Sequence, residues 1–159
     1  MRKMAARIGI SKTNVIDTAF GILEETQSIQ LVSMTAVAKR LGIRVQSLYA
    51  HIDGSTGLKR ELALRSLEKL AQDIPELIVY PINMEPPNKL KVRDFLRELG
   101  VVSLNTYFDP KLELVKKFKL IGMPTTVLLD KDGNEFGRIM GEFDFSDKKF
   151  INFLMKNYL

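Results

Sequence analysis

A mixed α+β fold, helical in its first half and strand-bearing in its second, follows from three observations on this chain. Before Pro75 the apolar residues recur at helical spacing, and after it short β-rich runs alternate with short amphipathic stretches. No Gly/Ser-rich or low-complexity stretch separates the two patterns. Residues 35–51, TAVAKRLGIRVQSLYAH, read as a helix, a tight turn and a second exposed helix. The expected organisation is a helix-turn-helix bundle over residues 1–72 and a smaller α/β unit over residues 73–159, joined by one shared helix.

Taken in order, Ser11 is the N-cap of a helix running to about Thr26, with Val15, Ile16, Ala19, Phe20, Ile22 and Leu23 as its apolar stripe. Ser33 caps the next helix, whose apolar face is Ala36, Val37, Ala38 and Leu41. Gly42 can take the positive φ that ends it, and Ile43 plugs the corner. Arg44 to His51 then forms a short helix anchored by Leu48. The turn DGST at 53–56 offers Ser55 or Thr56 as the cap of a fourth helix. That helix reaches about Asp73, buries Leu58, Leu62, Leu67, Leu70 and Ala71, and is stopped by Pro75.

In the second half, residues 77–83 (LIVYPIN) read as a strand. Val92, Phe95, Leu96 and Leu99 mark a helix over 89–99 that ends at Gly100. Residues 103–108 are a strand, and Asp109-Pro110 opens a helix that buries Leu114, Val115 and Phe118. Residues 125–130 and 135–141 form a hairpin through KDGN, and Ser146 caps a final helix. The order is β-α-β-α-β-β-α.

Composition narrows the function. The 159 residues are 45% apolar and 27% charged, which fits a folded globular chain. No apolar run approaches the roughly 18 residues of a membrane span, and no apolar core follows the basic opening MRKMAARIGI, so no secretory signal is expected. Without cysteine there is no disulfide, thiol catalysis or thiolate metal site, and the single histidine leaves little for other metals. The net charge is +5, and all of the excess lies in residues 1–72, where 11 Lys/Arg face 6 Asp/Glu. Residues 73–159 balance at 13 of each. A positive surplus beside a helix-turn-helix pattern is what phosphate attraction requires.

Ser33, Met34, Val37, Ala38, Leu41, Gly42, Ile43, Ser47, Leu48, Tyr49 and His51 match a Ser/Thr-Met-x-x-Val-Ala-x-x-Leu-Gly-Val segment followed by Ser-Leu-Tyr-x-His. On those residues, positions 8–72 resemble the N-terminal domain of tetracycline-repressor (TetR) transcription factors. The resemblance implies that helix 44–51 enters the DNA major groove and that duplex DNA is the partner. By side-chain chemistry, Arg44 and Gln46 suit base edges. Ser47, Tyr49 and His51 suit phosphates or bases, and Ser33 and Thr35 suit a phosphate at a helix N-terminus. Lys12, Lys39 and Lys59 are looser backbone candidates. The plainer alternatives are core packing for Tyr49 and His51 and an ordinary solvated face for Arg44 and Lys39. The family's Lys at the start of the fourth helix is absent, since Asp53, Gly54, Ser55 and Thr56 stand there. A homodimer is left open.

Gly-Met-Pro-Thr-Thr at 122–126 and Leu-Leu-Asp-Lys-Asp-Gly at 128–133 make residues 66–159 resemble the C-terminal part of a TlpA/ResA-like thioredoxin. That resemblance implies a cis Met123-Pro124 bond and a loop of Met123, Pro124 and Thr125 that offers backbone groups to an extended peptide. The family's dithiol turn is missing, with GLKR at 57–60 near its place, so disulfide exchange is excluded. The family's central strand is missing too, so the strands at 77–83 and 125–130 must pair directly, leave a gap, or be covered by the helical half. SLEKLA at 66–71 serves both resemblances at once. A recombined or designed chimera accounts for that sharing, with a natural fusion as the alternative.

Asp130, Asp132 and Asn134 mimic the start of a calcium loop, but Glu135 and Gly141 occupy the positions that need Gly and Glu. Asp144 and Asp147 read as helix-start charges. No phosphate loop, dinucleotide fingerprint or nucleophilic triad is present. A DNA-binding, non-enzymatic cytoplasmic protein without cofactor or metal is therefore the expectation. Its alternatives are a redox-inactive peptide-binding module and a chimera with no selected function.

Overall fold

Ser11 opens the first helix with a reciprocal cap: its Oγ accepts from Asn14 N–H at 3.1 Å, and its own N–H donates to Asn14 Oδ1 at 3.0 Å. The computed structural model describes residues 9–158, and the basic opening read in residues 1–8 lies outside them. Helix α1 (Lys12–Thr26) buries all six residues of its expected stripe. Ser33 caps α2 (Met34–Leu41), its Oγ accepting from Ala36 N–H at 3.1 Å. Gly42 ends α2 at φ 68°, which lets Ile43 N–H reach back to Ala38 O at 3.0 Å.

The short helix expected from Arg44 to His51 is a 3₁₀ helix, Val45–Ala50. It runs between two anchors: Ile43, just before it, packs against the core, and Ile52, just after it, is almost fully buried. A 3₁₀ helix rises about 2.0 Å per residue rather than about 1.5 Å, so a short segment reaches further between fixed points. Helix α3 (Gly54–Asp73) follows without a side-chain cap, and the expected caps Ser55 and Thr56 fall inside its first turn.

The second half keeps the expected order, with shorter strands. Strand β1 (Ile82–Asn83) pairs in parallel with β2 (Tyr107–Phe108), across helix α4 (Lys89–Glu98). Pro81 has no N–H to give and joins the ladder only through its carbonyl, which accepts from Tyr107 N–H at 2.8 Å. Helix α5 (Glu113–Lys117) starts later than Asp109-Pro110 suggested. The buried Asp109 carboxylate accepts from Glu113 N–H at 2.9 Å and Leu114 N–H at 2.8 Å, capping from four residues upstream. Strands β3 (Thr125–Leu129) and β4 (Glu135–Met140) form the antiparallel hairpin. Asp130 accepts from the loop amides of Asp132 and Asn134, which holds its carboxyl below the usual range. Helix α6 (Lys148–Asn157) is capped by Asp147 rather than Ser146; the Ser146 hydroxyl donates instead to Asp144.

The two strand pairs stay separate: β1 and β3 are not neighbours, so the sheet does not close into one. Helix α3 joins them to the rest. Leu58 and Leu62 sit in a core with α1, α2 and Leu48, to which Leu99 and Val101 also belong. Further along α3, Ala63 and Leu70 pack with Ile74, Phe145 and Leu154 in a second core. Polar groups of the same helix reach across. Arg65 Nη1 donates to Leu99 O at 2.8 Å, and Ser66 Oγ accepts from Phe145 N–H at 3.0 Å. Glu68 Oε1 accepts from Val102 and Ser103 N–H at 3.0 and 2.9 Å. Among the described residues no helix is long and apolar enough to cross a membrane.

Candidate nucleic-acid interface

Leu48 decides how the 3₁₀ helix presents itself. With that one side chain buried, Arg44, Gln46, Ser47 and Tyr49 all face solvent. Tyr49 is 61% exposed, and its ring lies near the start of α3, where a β-carbon on Gly54 would be 3.9 Å from its Cε1. The ring is thus outside the three-helix core, and its neighbours include the uncapped first turn of α3 with exposed Ser55 and Thr56. A turn whose leading N–H groups lack a side-chain partner presents partial positive charge to an anion.

Thr35 is exposed in the first turn of α2. Ser33 is half-buried, and its oxygen already serves Ala36 N–H, so its role is the cap first. His51 is half-buried at the end of the 3₁₀ helix, with its backbone N–H bonded to Leu48 O at 2.9 Å. Among the looser candidates, Lys12 is taken inward. Its Nζ lies 2.8 Å from Glu61 Oε1 and 4.6 Å from the centre of the Phe95 ring. Lys12 is therefore corrected from a backbone contact to a strut between α1, α3 and α4. Lys39 is exposed and Lys59 half-exposed, and neither makes an ion pair among the described residues.

Two features escape sequence reasoning. Arg40 forms a forked pair with Glu25, 2.9 Å from Oε1 and 2.5 Å from Oε2, tying α2 to α1. The hydrogen bonds lower the Glu25 carboxyl and raise the Arg40 guanidinium from their ordinary values. Glu61 is the opposite case. Burial raises its carboxyl despite the pair with Lys12, and its Oε2 has no hydrogen-bond partner among the described residues. The only signal for either pairing would have been opposite charges on facing helices, and no helix spacing gives that register.

The other candidate loop is differently placed. The Met123-Pro124 bond is cis, and Met123 and Pro124 are exposed. Pro124 O already accepts from Gly141 N–H at 2.8 Å, and Thr125 pairs with Met140 while its hydroxyl donates to Gly122 O. The Met123 backbone, by contrast, makes no hydrogen bond among the described residues.

Compared with known proteins, the chain is 33% identical over 75 residues to an uncharacterised HTH-type transcriptional regulator, YobS of Bacillus subtilis (strain 168). The match covers 47% of this chain and 39% of that regulator's length. No family model matches the chain, and no solved structure matches it.

Proposed function

We propose that this protein binds double-stranded DNA as a transcription-regulator-like protein of the TetR-like helix-turn-helix class. The observation that carries the reading is the row of Arg44, Gln46, Ser47 and Tyr49, all exposed around a single buried anchor, Leu48. Four polar residues on a short rigid segment suit base and phosphate contacts. The partial likeness to an HTH-type transcriptional regulator supports the same class. Arg44 and Gln46 would read base edges, Ser47 and Tyr49 would hold phosphates, and Thr35 and the first turn of α3 would add backbone-amide contacts. In this reading residues 1–72 are the DNA-binding domain, residues 73–159 a separate unit on the shared helix, and the protein works in the cytoplasm. One such segment alone binds at about 10⁻⁴ to 10⁻⁶ M, and a homodimer would tighten that by engaging two half-sites.

The test is fluorescence anisotropy with a labelled mixed-sequence duplex at low and moderate salt, alongside Arg44→Ala and Tyr49→Ala. Binding that weakens with salt and drops in both variants is expected. A folded protein that fails to bind at low salt sinks the reading.

A further inference from the structure

A groove of about 600 Å³ runs between α4 and the segment 101–108, away from the helix-turn-helix. Three features of it point to one kind of occupant. The first is its rim: Lys89, Arg93 and Arg97 stand four residues apart along α4, so they line one edge, and among the described residues no acidic side chain lines the groove. Arg93 touches its neighbour Asp94 at 3.2 Å, whereas Lys89 and Arg97 make no ion pair among the described residues. The second is its floor, which is apolar: half-buried Val92, Leu96 and Leu104 lie beside exposed Val102. The third is a strand edge. Tyr107 and Asp109 donate toward β1, to Pro81 O and Asn83 O at 2.8 Å each. Alternation turns the backbone groups of Thr106 and Phe108 the other way, and among the described residues no strand pairs with β2 on that side.

The geometry points to an extended, acidic-apolar segment of a partner protein that docks here by adding a strand to β2. The spacing of the cations suits that occupant. Four residues of helix advance about 6 Å, and two residues of strand advance about 6.6 Å. Acidic residues at every second position of an extended peptide therefore meet Lys89, Arg93 and Arg97 in turn. Its alternate residues face the apolar floor, and its backbone satisfies the open edge of β2. A duplex nucleic acid offers charge for the rim but nothing for the floor or the edge.

The experiment titrates a fluorescein-labelled peptide of alternating Glu and Val into the full chain. Controls are a Lys-Val repeat, an N-methylated Glu-Val repeat and a single-stranded oligonucleotide. The Glu-Val peptide should bind, N-methylation should abolish binding, and Arg93→Glu/Arg97→Glu should weaken it about tenfold. Both arginines are exposed, so circular dichroism of the double variant should match the parent; the N-methylated peptide tests the edge without altering the protein. No binding by Glu-Val, equal binding by Lys-Val, or binding insensitive to both changes overturns the proposal. So does binding of the oligonucleotide in place of the peptide.

Discussion

Lys12 and Arg44 carry the same charge in the same half of the chain, yet Lys12 is held by Glu61 and Phe95 while Arg44 is exposed. Residues of the first kind act on stability, and in the proposed reading those of the second act on binding. Arg44→Ala and Tyr49→Ala should lower duplex affinity with Tm nearly unchanged, checked by anisotropy and thermal melts, because exposed substitutions stay within about 0.5 kcal/mol. Glu61 gives a pH prediction. Its raised carboxyl means that the folded state holds a proton more tightly than the unfolded chain. The stability this confers is full below the unfolded carboxylate range and is lost as pH rises through the folded value. Glu61→Gln, which cannot ionise, should therefore gain Tm relative to the parent as pH is raised from about 4 to about 7. Melts of both proteins across that range test it, and a constant difference would refute it. Glu68 is 2% exposed and satisfies two backbone N–H groups, so Glu68→Ala should cost about 1–3 kcal/mol in urea unfolding by leaving them unpaired.

At the scale of elements, the 3₁₀ helix and the end of α4 show where local pattern meets tertiary constraint. Burial of Leu48 holds the short segment in place, so Leu48→Ala should cost about 2–5 kcal/mol and take DNA binding with it. That pairs a stability loss with a binding loss, unlike Arg44→Ala. Gly100 ends α4 at φ 72°, and a β-carbon there would lie 1.3 Å from Arg65 Nη1. Gly100→Ala should therefore displace the guanidinium from Leu99 O as well as strain the backbone, at a cost of about 1–3 kcal/mol in the same unfolding assay. The helices were legible as elements because their caps and stripes are local: Ser11, Ser33, Gly42 and Gly100 act where their spacing put them. Asp109 caps the helix that Asp109-Pro110 predicts, although α5 starts only at Glu113. Asp147 was harder to place, because Ser146 stands beside it and its hydroxyl turns instead to Asp144.

At the scale of the molecule, α3 belongs to both hydrophobic cores, and its Arg65, Ser66 and Glu68 bond to backbone of the second half. Unfolding either half exposes part of that helix. Far-UV circular dichroism and tyrosine fluorescence should consequently report one coincident urea transition. Two separated transitions would show that the halves are energetically independent.

By itself the sequence determined the α+β class, the order of elements, the core stripe of α1 and the exposed row on the segment after Gly42. All of these rest on local periodicity and turn chemistry. The tertiary structure alone decided that the third helix is 3₁₀, that Lys12 is internal, that the two strand pairs stay apart and that the β2 edge is left open. Those outcomes depend on what lies opposite each residue across the fold. Such contacts carry no fixed spacing along the chain, so no local pattern encodes them.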